Sequence, residues 1–169
     1  MRFNTKKIVI TALMAAIVCI ATMIIKIPSP LKGYINLGDC VVLLSGWMLF
    51  GLYGFMAAGI GSALADLFSG YVTYAPATFV IKGAMAVVAF LFVKAMQKKI
   101  GKLPSQIIGA VLAELLMIAG YFVFEGFLYG FGASLVNIPA NAVQGGAGLI
   151  FGMLLIHLLE KQKTLNFLK

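Results

Sequence analysis

The sequence PATFVIKGAMAVVAFLFVKAMQ, residues 76–97, contains only two charged side chains, Lys82 and Lys94. Its length meets the roughly 20 predominantly apolar residues that a helix needs to cross the hydrocarbon core of a bilayer. The proline stands in the first turn, where a missing N–H does not weaken a helix. These residues therefore predict a transmembrane helix.

The composition of the whole chain agrees with that prediction. Of its 169 residues, 62% are hydrophobic and 11% are charged, whereas roughly 25% are charged in a typical soluble domain. A chain of this length cannot bury so much apolar surface inside a water-soluble core. A soluble enzyme and a disordered linker are therefore excluded, and we expect one integral membrane domain over residues 1–169.

Similar apolar stretches occur along the rest of the sequence. The first is long for a signal peptide and no clear cleavage site follows it, so an uncleaved helix is expected. A stretch of 30 residues is interrupted at Gly51–Gly54 and predicts two short helices, which are either tilted or re-entrant. The chain is therefore predicted to be an all-α membrane protein with six transmembrane helices. The apolar stretches outside 76–97 are residues 8–27, 39–68, 105–128 and 138–160.

The basic residues predict the orientation. Ten of the 13 Lys and Arg side chains would lie on one side of the membrane, against Lys26 and Lys32 on the other and Lys82 within it. Positive residues favour the cytoplasmic side, so both termini are predicted to be cytoplasmic. The net charge of +8 is then an orientation signal and does not indicate a nucleic-acid partner. The ten are Arg2, Lys6, Lys7, Lys94, Lys98, Lys99, Lys102, Lys161, Lys163 and Lys169.

Polar side chains inside three predicted helices are the candidate functional residues. A charge near the bilayer centre costs at least about 2.5 kcal/mol, so each one requires a reason. At about 1.5 Å per residue, five of these side chains lie within about 10 Å of the outer helix ends, while Glu114 lies nearer the midplane. Together with the outer loops at 32–36 and 69–74, they give the candidate set Asn36, Tyr74, Thr78, Lys82, Glu114, Tyr121, Glu125, Asn141 and Gln144.

Two interpretations of this set remain open. In one, Lys82 pairs with Glu125 or Glu114 and the amides bridge helices. In the other, which the shared depth and the tyrosines favour, the residues line an outward-facing pocket for a small polar molecule, with the loops as walls or lids. Asp39 and Asp66 flank loop–helix junctions and are interpreted as capping or loop-bracing residues.

Several chemical signatures are absent from the sequence. It contains no Walker A pattern, no metal-ligand motif and no set of catalytic residues, so we expect neither a cofactor nor an enzyme. Cys19 and Cys40 are expected to be buried free thiols. A carrier that works alone, with Glu114 as a proton site, remains an alternative.

Six stretches of the chain resemble the substrate-binding S component of an energy-coupling factor (ECF) vitamin transporter. The resemblance implies six helices, an outward pocket closed by the loops after helices 1 and 3, and three partners: a transmembrane coupling subunit and two cytoplasmic ATPases. It also implies that Ala12 and Ala16, with Ala15 beside them, pack against the coupling subunit; packing within the chain is the alternative. The matching stretches are residues 11–16, 33–39, 63–71, 75–83, 113–117 and 138–145.

The resemblance is strongest to the S components for pantothenate, hydroxymethylpyrimidine and pyridoxine. Lys82 could pair with the carboxylate of pantothenate, but Glu125 in the same layer would oppose it. One Lys with one or two Glu and two amides suits a small hydrogen-bonding heterocycle, and the tyrosines can stack on it. We therefore expect a ligand of the pyridoxine or hydroxymethylpyrimidine type, with pantothenate as the alternative.

Overall fold

A computed structural model of the chain describes residues 5–29, 31 and 33–161. Within them the chain forms seven α-helices and one two-stranded antiparallel hairpin. The elements are α1 (Thr5–Ile24), β1 (Lys26–Pro28), β2 (Tyr34–Asn36), α2 (Gly38–Met48), α3 (Leu52–Phe68), α4 (Ala75–Ile100), α5 (Lys102–Tyr129), α6 (Phe131–Ser134), a 3₁₀ turn (Leu135–Asn137) and α7 (Ile138–Lys161).

The helices form the predicted all-helical membrane architecture. Four segments are long and apolar enough to cross a bilayer: α1, α4, α5 and the continuous stretch Phe131–Lys161. The helices α2 and α3 are apolar but have only 11 and 17 residues. The count of six spans and the cytoplasmic termini stay predictions, and Arg2, Lys32, Lys163 and Lys169 lie outside the described residues.

The short helix α2 lies at the centre of the fold. Its residues from Gly38 to Gly46 are all buried, as expected for a helix that is apolar on every side apart from Asp39 and Ser45. A Cβ atom on Gly46 would collide with the carbonyl oxygen of Ala86, so α2 and α4 are in backbone contact. The predicted break between α2 and α3 is confirmed, since Gly51 turns the chain there with a φ of 48°.

The hairpin is the main departure from the predicted elements. Helix α1 ends at Ile24, and the expected last helical residues 25–27 lead instead into β1, which pairs with β2 in the register Ile27↔Ile35. The prediction of a helix to residue 27 was wrong because the residue before a proline, here Ile27, is driven from helical to extended backbone. Pairing with β2 then satisfies the extended backbone.

Candidate ligand-binding cavity

A cavity of about 40 Å³ lies beneath the hairpin, at the end of the helices where α4 and α7 begin. Seven of the nine candidate residues line it: Asn36, Tyr74, Thr78, Tyr121, Glu125, Asn141 and Gln144. They come from β2, α4, α5 and α7 and from the segment before α4. The predicted gathering of these polar side chains around one void is therefore observed. Six further lining residues were not in the candidate set: Ser29, Gly33, Tyr34, Asp66, Tyr71 and Asn137.

The roof of the cavity consists of the hairpin fastened to the segment that follows α3. The hydroxyl of Tyr34 donates to Oδ1 of Asp66 at 2.7 Å, and the rings of Tyr34 and Tyr71 lie 4.8 Å apart. Burial and the neighbouring Asp66 carboxylate raise the pKa of Tyr34 above its ordinary value, so its hydroxyl stays a donor. Asp66 therefore braces the loops, as its position at a helix–loop junction predicted.

One wall of the cavity is organised around Glu125. Its Oε1 accepts hydrogen bonds from Nδ2 of Asn137 at 2.7 Å and from the hydroxyl of Tyr74 at 3.3 Å. Its Oε2 is buried and has no hydrogen-bond partner among the described residues. The same holds for Oδ2 of Asp66 and Oγ of Ser29, which also line the cavity. Buried polar atoms are normally hydrogen-bonded, so these three oxygens indicate missing hydrogen-bond partners.

The floor contains an ion pair between Lys82 and Asp39, and this pair was not predicted. Both side chains are almost fully buried, and neither lines the cavity. The proposed pairing of Lys82 with Glu125 or Glu114 was wrong. Asp39 was interpreted as a capping or loop-bracing residue. Its side chain makes no capping hydrogen bond to α2 and instead binds Lys82 and Gln144.

The comparisons with known proteins identify the family. Residues 2–161 match the family model described as ECF-type riboflavin transporter, S component. The chain belongs to this family. It is therefore a multi-pass membrane protein and the substrate-binding subunit of an ECF transporter, and it is not an enzyme. The resemblance stated from the sequence is confirmed.

Individual proteins are also similar to this S component over most of its length. An uncharacterised protein from Pyrococcus woesei is 36% identical over 86% of this chain and 95% of its own length. The thiamine precursor transporter HmpT of Lactococcus lactis subsp. cremoris (strain MG1363) is 24% identical over 96% of this chain and 93% of its own. A solved structure of the S component of a bacterial ECF transporter matches with a TM-score of 0.69 and 24% identity, covering 97% of this chain and 98% of the other, and so shares its fold.

Glu114 occupies a separate position in the S component, deeper than the cavity lining. It is 5% exposed, and neither of its carboxyl oxygens has a partner within the described ranges. It packs against α7, where a Cβ on Gly148 would lie 2.9 Å from Glu114 Oε1 and 2.6 Å from Asp39 Cβ. Glycine at position 148 thus permits α2, α5 and α7 to meet below the cavity.

The S component also carries an apolar groove between α1 and α3. The groove has a volume of about 690 Å³. Ala12 and Ala16 are exposed there, whereas Ala15 is buried, with its carbonyl oxygen against Gly61 of α3. The lining residues are Ile8, Thr11, Ala12, Ala15, Ala16, Leu52, Tyr53, Met56, Ile60 and Leu64.

Among the residues that the structure describes, no three His, Cys, Asp or Glu side chains lie close enough to hold a metal ion. Cys19 and Cys40 are both free and buried, as predicted.

Proposed function

We propose that this S component binds a small heterocycle of the hydroxymethylpyrimidine or pyridoxine type from outside the cell. It delivers this ligand inward together with a transmembrane coupling subunit and two cytoplasmic ATPases. The observation that carries the proposal is the set of three unpartnered buried oxygens on the cavity wall, from Ser29, Asp66 and Glu125. The proposed ligand-binding residues are the seven predicted side chains that line the cavity, together with Ser29 and Asp66.

The chemistry of the wall favours a ligand that donates hydrogen bonds. An ionised carboxylate only accepts hydrogen bonds, so Asp66 and Glu125 require N–H or O–H groups opposite them. Hydroxymethylpyrimidine offers an amino and a hydroxyl group, and pyridoxine offers three hydroxyls. Four amides also line the cavity, Asn36, Asn137, Asn141 and Gln144, and an amide donor such as that of Asn141 suits a ring nitrogen. The tyrosines provide faces on which a planar ring can stack.

The charges around the cavity disfavour pantothenate, the alternative ligand. Its carboxylate requires a cation, and the described residues that line the cavity include no Lys, Arg or His. Lys82 lies below the lining and already binds Asp39 and Met117. Glu125 and Asp66 would repel an anion at close range.

Riboflavin is the second candidate, because the matching family model is named for it. Its three fused rings are far larger than a cavity of about 40 Å³ accommodates without wide opening of the roof. A single small ring requires much less opening. The relative whose name specifies a thiamine precursor also supports the smaller ligand.

Calorimetric titration of the detergent-purified chain tests the substrate. Hydroxymethylpyrimidine, pyridoxine, pantothenate and riboflavin are titrated separately, and we expect binding of one of the first two. Asn141→Ala should weaken this binding, since Asn141 lines the cavity, whereas Val143→Ala on the exposed face of the same helix should not. Binding of only riboflavin or only pantothenate would refute the assignment.

We propose that the groove between α1 and α3 receives a helix of the coupling subunit, with Ala12, Ala15 and Ala16 at the contact. Small residues allow helix backbones to approach closely in a membrane, and the exposed Ala12 and Ala16 leave room for a partner. Copurification with a coupling subunit and its ATPases tests this assignment. Uptake into liposomes by the chain alone, without ATP, would instead favour a solitary ion-coupled carrier.

A further inference from the structure

The side chain of Gln144 connects the roof of the cavity with its floor. Its Oε1 accepts from the backbone N–H of Asn36 at 2.9 Å and from Nδ2 of Asn36 at 3.2 Å. Its Nε2 donates to Oδ2 of Asp39 at 2.7 Å. A backbone N–H only donates and an ionised carboxylate only accepts, so these two partners dictate which way the amide points.

The ion pair with Lys82 gives the Asp39 carboxylate a counter-charge next to its hydrogen bond with Gln144. Lys82 binds Oδ1 of Asp39, and its ammonium group also contacts Sδ of Met117 at 3.1 Å and lies 5.6 Å from the centre of the Tyr121 ring. An opposite charge at close range stabilises the ionised form of a carboxyl group. Asp39 is completely buried, so without Lys82 its carboxylate would have no counter-charge in contact with it.

The roof of the cavity depends on the hydrogen bonds between Asn36 and Gln144. Asn36 is the last residue of β2, and its Oδ1 accepts from the backbone N–H of Gly38 at 2.8 Å, at the start of α2. The last residue of β2 is therefore hydrogen-bonded to Gln144. If the amide of Gln144 reversed, its Nε2 would face two donors of Asn36, and the strand would lose both hydrogen bonds.

We propose that Asp39 and Lys82 are positioning residues for the hairpin. They fix the amide of Gln144, which holds β2 closed over the cavity, and neither of them touches the ligand. That this closure favours ligand binding rests on the proposed function. The positioning of β2 does not, because it is a property of the chain without ligand.

The decisive experiment exchanges the carboxylate and the amide between positions 39 and 144. In Asp39→Asn, Lys82 takes the carbonyl oxygen, so the new NH₂ group faces Nε2 of Gln144 and two donors oppose each other. In Gln144→Glu, two carboxylates oppose each other. In the double variant D39N/Q144E, the carboxylate introduced at position 144 accepts from the amide introduced at position 39 and from both donors of Asn36. The total charge and nearly the whole shape of the pair are then unchanged.

Hydrogen exchange of residues 33–37, measured by mass spectrometry without ligand, is the primary readout. We expect exchange to rise about tenfold or more in each single variant, because a buried donor or acceptor loses its partner, and to return close to the wild-type rate in the double variant. Segments of α4 and α5 away from the pair report on global unfolding. Glu160→Gln, at the partly exposed pair with Lys102, is the control and should leave the exchange of residues 33–37 unchanged.

Each outcome decides the proposal. Restored protection in the double variant supports it, even if both single variants unfold. Unchanged exchange in Asp39→Asn, or a double variant no better than the single ones, overturns it. Titration of the same proteins with hydroxymethylpyrimidine and pyridoxine separates the two proposals: if neither compound binds the wild type but the exchange pattern is reciprocal, the proposed substrate fails and the positioning role stands.

Discussion

The cavity beneath the hairpin and the groove between α1 and α3 are opposite kinds of recess. The cavity is about 40 Å³ and lined mostly by polar and tyrosine side chains. The groove is about 690 Å³, and its lining is apolar except for Thr11 and the hydroxyl of Tyr53. One has unpartnered hydrogen-bonding atoms on its wall, whereas the other presents the exposed alanines 12 and 16.

The difference fits the two kinds of recognition proposed above. Lipid chains are as apolar as the helices, so apolar contact alone brings little gain, and close approach between small residues is what favours helix association. A polar group in the bilayer is costly unless it is hydrogen-bonded, so a polar recess there is maintained for a polar occupant. The cavity is thus suited to a small hydrophilic molecule and the groove to another helix.

The largest expected effect comes from breaking the floor of the cavity. Lys82→Met leaves Asp39 as an unpaired buried charge, and removing one partner of a buried ion pair costs about 3–5 kcal/mol. The matched control is Lys102→Met, which breaks the exposed pair with Glu160 and should cost at most about 1 kcal/mol. Thermal unfolding in detergent measures both, and equal shifts would contradict the structural role of the buried pair.

A substitution in the cavity wall should weaken ligand binding and leave assembly with the coupling subunit unchanged. Glu125→Gln replaces the unpartnered Oε2 by an NH₂ donor, which faces the donors expected on the ligand. We expect ligand binding to weaken by about 1–3 kcal/mol, with assembly unchanged. Calorimetric titration and copurification test the two halves of this prediction, with Glu160→Gln as the control for loss of a carboxylate. Unaltered ligand affinity would show that Oε2 does not contact the ligand.

A substitution in the groove between α1 and α3 should have the opposite effect and weaken assembly alone. Ala16→Leu fills space at the exposed face of α1 and should weaken assembly by about 1–3 kcal/mol, the usual effect of overpacking, without altering ligand binding. Ile20 is exposed on the same helix and lies outside the groove lining. The control substitution Ile20→Leu should therefore leave assembly intact. Copurification of the coupling subunit with each variant gives the answer, and equal recovery would place the partner surface elsewhere.

The smallest effect is expected at the roof. Tyr34→Phe removes the 2.7 Å hydrogen bond to Asp66 and should weaken ligand binding by about 0.5–1.5 kcal/mol. Tyr71→Phe keeps the ring that packs on Tyr34 and removes a hydroxyl with no side-chain hydrogen bond to the described residues, so it should be neutral. Calorimetric titration compares the ligand affinities of the two variants. Equal affinities would show that the hydrogen bond between Tyr34 and Asp66 does not contribute to ligand binding.

Local patterns in the sequence account for what was predicted correctly. The fourth helix was expected over residues 76–97 and extends over Ala75–Ile100, because an apolar run and a first-turn proline are local signals. The hairpin was missed because three-residue strands carry almost no periodic signal. Ser29 was missed because it follows the first predicted helix and lies outside the two outer loops at 32–36 and 69–74, and only the tertiary structure brings it to the cavity.

The sequence by itself determined that the chain is helical, lies in a membrane and carries polar side chains on three helices at similar depth. These are properties of hydropathy, length and helical period, which each segment carries alone. Only the tertiary structure decided that Lys82 binds Asp39 and that Gln144 joins roof to floor. A buried charge binds whichever opposite charge the packing brings within reach. Glycine at position 148 lets α7, the helix that carries Gln144, approach Asp39 of α2.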